Sequence, residues 1–409
     1  MKKQIFLIAI MLLQTWQASD ACTSAVISGR VTPDGRPILW KNRDTSTDQN
    51  CVKYFAGEKY PFVAVVNSAS DNPRSIWIGT NSTGFSVMNT LSYNLKDEKD
   101  ESGSKNNGTL MLRALEICTS VEDFRVFLDT LSKPMFVSAN FGVIDARGGA
   151  AYFEVDDTSA VMFDVNDPKI APFGYLTRTN FSFSGFPEKG AGYIRYQQAD
   201  LMFHNASATG EITPEWIFNE LSRAFINPML GINLKDGSYN RPKTNGWFVE
   251  QDFIPRRSST CSVAIQGVKP DENPELTTMW TIIGYPPVTP AIPVWVAGGE
   301  KLPSLLTRDS KTAASPLCDK ALTLRNKVYS YTRGNKDFEK YFHWELLFNN
   351  AGTGYIQKVK EIEDAVFTAT QPILEKWRKE GKIRHNELQE LYDNQNAFVT
   401  RTYLATFGL

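Results

Sequence analysis

Short apolar runs that end at glycine, asparagine, aspartate or proline recur along the chain from Cys22 to about residue 300. Runs that are rich in β-branched and aromatic residues and bounded in this way are typical of β-strands. The pattern predicts strands over Cys22–Ser28, Pro37–Lys41, Phe62–Asn67, Ile76–Gly79, Phe85–Thr90, Phe141–Asp145, Ala150–Val155, Ala160–Val165, Cys261–Gln266, Met279–Ile283 and Val294–Val296. The turn residues at 33–37 join the first two runs, so residues 22–44 are predicted to form a β-hairpin.

Helical spacing of apolar residues separates the strands into two groups. It predicts helices over Leu110–Cys118, Val121–Leu131 and Pro214–Ala224, the last with Thr213 as its N-cap. Strands in two groups with helices inserted predict a layered body of sheets and helices rather than a Rossmann sheet. From about residue 310 the pattern is helical throughout, with one stripe before Pro372 and another from Leu388 to Val399. We therefore expect a strand-rich domain over 22–300 and a helical region over 301–409.

The first 21 residues have the pattern of a secretory signal peptide. Lys2 and Lys3 precede the apolar run Ile5–Leu13, and small residues stand at the −3 and −1 positions of a cleavage site after Ala21. The apolar run is too short to span a bilayer. We therefore expect an exported protein, periplasmic or extracellular, whose first residue after processing is Cys22.

Two chemistries use a cysteine at such a junction. One is acylation of the thiol, which would make the chain a lipid-anchored ligand-binding lipoprotein and give it a membrane partner. Such a signal normally has Leu at −3 and small uncharged residues at −2 and −1, whereas this chain has Ser19 and Asp20. The other is catalysis by an N-terminal cysteine, which the sequence favours.

Composition excludes several classes of function. The chain has 44 Lys and Arg against 45 Asp and Glu, a formal net charge of −1, so no basic field favours a nucleic acid partner. The motifs of serine-hydrolase elbows, zinc proteases and phosphate-binding loops do not occur. His204, His343 and His385 all lie in helical-looking stretches, which argues against a cysteine–histidine pair or a histidine metal site.

An N-terminal cysteine supplies a nucleophile and a base on one residue. Its thiol has an ordinary pKa of about 8.5 and its α-amine one of about 8, so the amine can accept the thiol proton. Such a site also needs a carboxylate near the amine, cations and oxyanion donors. Asp44 could orient the amine, and Lys41 or Arg43 could favour the thiolate, because all three end the strand that returns towards Cys22. The same residues also fit a polar turn after a strand.

These residues resemble a known family. Cys22-Thr23-Ser24, followed by a hairpin that ends in Lys41-Asn42-Arg43-Asp44, is similar to the N-terminal-nucleophile (Ntn) linear-amide hydrolases, which include choloylglycine hydrolase, penicillin V acylase, acid ceramidase and the isopenicillin-N acyltransferases. In that family the strand commonly ends Arg-x-x-Asp, and the aspartate binds the amine of the nucleophile. Asp44 matches this pattern, but Lys41 occupies the arginine position and Arg43 stands two residues later.

The resemblance implies further site residues. Asn89 and Asn180, each at the end of a family-like strand, are implied to stabilise the oxyanion or position the substrate, and Arg195 resembles a later family arginine. Residues 140–154 resemble the acyltransferase branch more than the bile-salt branch. The family implies an α+β fold, an αββα sandwich of two antiparallel sheets flanked by helices, which covers about residues 22–300.

The implied reaction is attack of the Cys22 thiolate on a small-molecule acyl amide, which forms a thioester, without metal or cofactor. The sequence leaves open which acyl amide reacts, whether water or an amine resolves the thioester, and the oligomeric state. A degenerate family member that only binds amides is a further alternative. The remaining cysteines, Cys51, Cys118, Cys261 and Cys318, allow three disulfide pairings in an oxidising compartment.

Overall fold

Two antiparallel β-sheets lie face to face in the computed structural model, which describes residues 21–96, 105–236, 245–331 and 340–409. The predicted signal peptide lies almost entirely outside the described residues. The first sheet has the strand order β10-β1-β2-β14-β15-β16, with bounds β1 Ala21–Ile27, β2 Ile38–Asp44, β10 Tyr175–Arg178, β14 Ser259–Gln266, β15 Thr278–Ile283 and β16 Ile292–Val294. The second sheet has the order β3-β4-β5-β6-β7-β8-β9, with bounds β3 Asn50–Phe55, β4 Phe62–Asn67, β5 Ile78–Asn81, β6 Ser86–Leu91, β7 Ala139–Ile144, β8 Ala150–Val155 and β9 Ala160–Asp164.

Helices and two short strand pairs surround the sheets. The α-helices are α1 Asn107–Ile117, α2 Val121–Thr130, α3 Tyr193–Thr209, α4 Pro214–Trp216, α5 Pro316–Val328, α6 Trp344–Leu347, α7 Tyr355–Glu380 and α8 His385–Phe407. The short pairs are β11 Ile226–Asn227 with β12 Ile232–Asn233, and β13 Trp247–Val249 with β17 Tyr341–His343. Within the described part of the chain, no helix has the length and apolarity that a membrane crossing requires.

Apolar side chains from the two sheets interdigitate and form the centre of the core. Val26 and Leu39 of the first sheet meet Met88 of the second, and all three are fully buried. The sheets approach each other closely at Gly142, where an added Cβ would lie 2.8 Å from Val26 Cγ2. Only glycine fits there, because any side chain would push the sheets apart.

Helices cover the outer face of each sheet. Helix α1 packs on β5 and β6 of the second sheet, and Phe124 of α2 contacts Phe141 and Phe153 on the same face, with ring centroids 6.0 and 5.2 Å away. Helix α3 packs on β1 and β10 of the first sheet. The predicted α+β fold, a sandwich of two antiparallel sheets between helices, is confirmed.

The predicted strands are all present, with small shifts at their ends. Strand β3 was not predicted, because Asn50 and Lys53 interrupt its apolar pattern. The predicted cap at Thr213 is confirmed, since its hydroxyl accepts a hydrogen bond from the Trp216 backbone nitrogen. The helix that follows differs from the prediction: after α4 it continues as a π-helical turn and ends at Leu221.

One helical expectation is wrong, and two helices go beyond the predicted pattern. Helix α7 extends past the stripe before Pro372 and runs to Glu380, because buried residues on both sides, such as Val366 and Trp377, hold the helix although proline removes one hydrogen bond. His343 lies in strand β17 rather than in a helix. Helix α3, which carries Arg195, was not predicted as such, because its apolar residues form no distinct stripe.

The helices after residue 310 contribute to the same hydrophobic core as the sheets. A fully buried ion pair joins the two parts: Arg223 donates to both carboxylate oxygens of Glu363 on α7, at 2.7 and 2.9 Å. Glu363 also accepts a hydrogen bond from the Ala291 backbone nitrogen at 2.7 Å. The boundary at residue 300 stays a prediction, but the regions on its two sides pack together.

We expect the Glu363→Gln variant to lose about 3–5 kcal/mol of unfolding free energy, because it leaves the buried Arg223 guanidinium without a counter-charge. Urea unfolding followed by circular dichroism would measure this loss. The matched control is Glu361→Gln, two residues earlier on α7, whose side chain is exposed and forms a surface pair with Lys358. Equal effects of the two variants would contradict a specific role for the buried pair.

Candidate active site

Cys22 lies near the start of β1, between β10 and β2, on the wall of a pocket at one end of the two sheets. The cysteine is 5% exposed. Five of the seven predicted site residues line this pocket. The other two, Asn180 and Arg195, do not line it but hydrogen bond to the backbone of Cys22. The pocket of about 130 Å³ is lined by Cys22, Lys41, Arg43, Asp44, Ser75, Trp77, Asn89, Leu91, Lys105, Asn107 and Gly108.

Strand register explains why two cations face the nucleophile. Cys22 lies opposite Arg43 in the β1–β2 pairing, and Arg43 lies opposite Cys261 in the β2–β14 pairing. Directly opposite residues share a face of the sheet, and so do residues two apart on one strand, so Lys41 also points to this side. The Arg43 guanidinium lies over the ring of Trp77, 4.1 Å from its centroid. Both cations of the divergent motif therefore reach the pocket.

Lys41 fixes the orientation of the Asn89 amide. The Lys41 ammonium, which is almost fully buried, donates to Asn89 Oδ1 at 2.9 Å and to the Trp77 carbonyl oxygen at 3.0 Å. Because an ammonium can only donate, it must face the amide oxygen. Asn89 Nδ2 hydrogen bonds to none of the residues that the structure describes. The Asn89 amide therefore offers its N–H groups on the pocket wall.

Arg195 and Asn180 hold the main chain of the nucleophile. Arg195 is 1% exposed and donates through Nη1 to the Cys22 carbonyl oxygen at 2.7 Å and to Thr23 Oγ1 at 3.0 Å. Its Nη2 donates to Asn180 Oδ1 at 2.9 Å, and the same oxygen accepts from the Cys22 nitrogen at 3.2 Å. Asn180 Nδ2 donates to the Leu91 carbonyl oxygen at 2.9 Å. These contacts favour a role for Asn180 at the nucleophile's nitrogen over a role as oxyanion donor.

Asp44 is fully buried and receives three donors. Arg256 Nε donates to it at 2.9 Å, Ser259 Oγ at 2.6 Å and Asn42 Nδ2 at 3.0 Å. In the β1–β2 pairing Asp44 lies opposite Ala21, the residue before the nucleophile. Sequence reasoning missed Arg256 and Ser259, which lie more than 200 residues from Asp44 and belong to no motif that marks them.

Burial and charge act against each other in this cluster. Burial raises the pKa of the Asp44 carboxyl above its ordinary value, although Arg256 and Arg195 lower it. Burial also opposes the charge of Arg256, but Asp44 and two further carboxylates outweigh it and raise the pKa of that guanidinium. Arg256 is therefore cationic, and its charge offsets part of the desolvation cost of the buried Asp44 carboxylate.

The remaining titratable groups give no second candidate centre among the described residues. No group of three histidine, cysteine, aspartate or glutamate side chains there is arranged to hold a metal ion. All five cysteines are free thiols, so none of the three disulfide pairings is present. His204, His343 and His385 are absent from the lining of the Cys22 pocket.

One family model matches part of the chain. Residues 31–200 match the family model "Acyl-coenzyme A:6-aminopenicillanic acid acyl-transferase". In sequence, the chain matches none of the curated proteins.

Three solved structures are similar to the chain. One is a Caenorhabditis elegans ortholog of N-acylethanolamine-hydrolyzing acid amidase, with 13% identity, a TM-score of 0.38, and coverage of 60% of this chain and 92% of that one. A mutant of the conjugated bile acid hydrolase from Clostridium perfringens has 12% identity, a TM-score of 0.36 and coverage of 64% and 89%. Penicillin V acylase from Agrobacterium tumefaciens has 11% identity, a TM-score of 0.34 and coverage of 67% and 86%.

The sequence resemblance and the family model point to the same group of proteins. The matched residues include Lys41, Arg43, Asp44, Asn89 and Asn180, which surround Cys22 in the structure. Residues 31–200 are therefore similar to the acyl-transferase family, in agreement with the sequence resemblance to the Ntn linear-amide hydrolases.

Proposed function

We propose that the protein is an exported cysteine amidase or acyltransferase, which cleaves a non-peptide amide through a thioester on Cys22 after removal of residues 1–21. The observation that carries the proposal is the setting of Cys22. Its nitrogen is held by Asn180, and its pocket also presents a buried lysine and the amide donor of Asn89. The substrate is a small-molecule acyl amide, as the family implies.

The reaction begins with transfer of the Cys22 thiol proton to the α-amine. The thiolate attacks the carbonyl carbon, which forms a carbon–sulfur bond and places negative charge on the carbonyl oxygen. Collapse breaks the carbon–nitrogen bond, and the α-ammonium returns its proton to the departing amine. Water or a second amine then attacks the thioester and gives a proton to the α-amine; the carbon–sulfur bond breaks, and the proton returns to the Cys22 sulfur.

The proposed roles follow from the contacts. Asn89 Nδ2 is the donor to the oxyanion, because the other end of its amide is occupied by Lys41. Asn180 accepts from the nitrogen of Cys22 and, with Arg195, fixes its position. Asp44, opposite the residue that processing removes, supplies negative charge for the α-ammonium.

We expect iodoacetamide at pH 8 to alkylate Cys22 alone in the folded protein. Burial raises the pKa of Cys51 and Cys261 to about 11 and that of Cys118 and Cys318 to about 12, so these four thiols are protonated at pH 8 as well as inaccessible. Peptide mapping by mass spectrometry gives the site. The denatured protein is the control and should react at all five cysteines; labelling of a different cysteine in the folded state would contradict the assignment.

Incubation of the processed protein with a panel of acyl amides should produce an acyl adduct on Cys22 that hydroxylamine removes, as expected of a thioester. Cys22→Ala should abolish both the adduct and turnover. Full turnover by this variant would exclude the mechanism. Intact mass separates the alternatives: a free N-terminal cysteine supports the enzyme, a diacylglyceryl mass supports a lipid-anchored binding protein, and amide binding without an adduct supports a degenerate member.

Lys41→Met should lower kcat by about 100-fold with little change in KM, because Asn89 loses the contact that holds its donor towards the oxyanion. Lys41→Arg should retain more activity, since it keeps the charge. In the Asn89→Ala background, Lys41→Met should have little further effect, because both substitutions remove one interaction. The matched control is Lys53→Met on β3, because the Lys53 ammonium donates to an exposed backbone carbonyl oxygen, that of Asp71; additive losses in the double variant would contradict the coupling.

A further inference from the structure

Asp252 joins the two arginines that serve the candidate site. Its Oδ1 accepts from Arg195 Nε at 2.9 Å and from Arg256 Nη1 at 3.0 Å. Arg195 continues to the Cys22 carbonyl oxygen, and Arg256 continues to Asp44. One carboxylate oxygen therefore connects the group that holds the nucleophile's main chain with the group that holds the buried aspartate.

The backbone at Asp252 is held in an unfavourable conformation. Its φ of 54° lies in the left-handed region, which non-glycine residues rarely adopt. Strain of this kind persists where the surroundings over-determine it, and it concentrates at functional sites. The segment is fixed on both sides, because the Glu250 nitrogen donates to the Lys340 carbonyl oxygen and Arg325 donates to the Arg257 carbonyl oxygen.

Two guanidinium groups this close would otherwise repel each other. The side chain of Arg195 is 1% exposed and that of Arg256 is 16% exposed, so water screens their charges little. The shared carboxylate places negative charge between them. It also occupies Arg195 Nε, which directs Nη1 and Nη2 of the same fork towards Cys22 and Asn180.

We propose that Asp252 is a positioning residue for the Cys22 site: it sets the orientation of Arg195 and Arg256 and, through them, of the nucleophile and Asp44. The inference rests on the proposed function for its effect on turnover. Asp252 does not line the pocket and is 27% exposed on its side chain, so it acts through the arginines and not on the substrate.

Asp252→Gly separates the carboxylate from the strain. Glycine adopts a φ of 54° without penalty, so a fall in melting temperature reports the loss of the carboxylate and not a backbone effect. Loss of the carboxylate should lower kcat at least tenfold with little change in KM, since the arginines lose their common partner. Asp252→Asn keeps an acceptor oxygen but not the charge, and its kcat should lie between that of the wild type and that of Asp252→Gly. The control Ala313→Gly relieves strain at a similar φ of 58° and should leave turnover unchanged.

The rate of Cys22 alkylation by iodoacetamide is a second measurement that needs no substrate. We expect it to change at least threefold in Asp252→Gly and to be unchanged in Ala313→Gly. If the wild-type protein turns over a substrate and both Asp252 variants have the same kcat as the wild type, the role of Asp252 is overturned and the proposed function stands. Absence of turnover in the wild-type protein would overturn the proposed function. The rate of Cys22 alkylation in Asp252→Gly would then decide the role of Asp252, and a rate equal to that of the wild type would overturn it.

Discussion

The position of Cys22 depends on the buried guanidinium of Arg195. An arginine that is 1% exposed must have its charge balanced and its donors bonded, or the desolvation penalty would displace it. This requirement is met by a carboxylate on one side and by the Cys22 carbonyl oxygen, Thr23 and Asn180 on the other. The start of β1 is therefore fixed by a charge that has no other stable arrangement, and not only by sheet pairing.

The C-terminal region is also connected to the site, through the segment that holds Asp44. The segment between β13 and β14 carries Arg256 and Ser259, and it is joined to the C-terminal region by the β13–β17 pairing and by Arg325. Arg325 also donates to both carboxylate oxygens of Asp48, just after β2, at 2.8 Å. Helix α5 thus contacts, through Arg325, both the segment after β2, at Asp48, and the segment that carries Arg256 and Ser259, at Arg257. A region outside the residues that match the family model supports the residues around the buried aspartate.

Local patterns predicted the strands and the hairpin that forms the pocket wall, whereas the sandwich of two antiparallel sheets was implied by the family resemblance. Alternating turns and apolar runs predict strands, and a hairpin with its register places Lys41 and Asp44 beside the chain start. The partners Arg256 and Ser259 could not be predicted, since they meet Asp44 only through tertiary packing. The bounds of helix α3 were not predicted for a related reason: Arg195 and Gln198 are buried polar residues that interrupt the apolar face formed by Ala199 and Phe203.

The exchange of arginine for lysine in the Arg-x-x-Asp motif is compensated within the same strand. A lysine ammonium is a point charge that can reach across to the second sheet, and Lys41 does so at Asn89 and Trp77. The planar guanidinium of Arg43 lies instead against the face of Trp77, where stacking suits its shape. Because residues two apart on a strand share a face, both cations remain on the side of Cys22. Arg43 therefore lies opposite Cys22 in the β1–β2 pairing, while Lys41 orients the Asn89 amide on the second sheet.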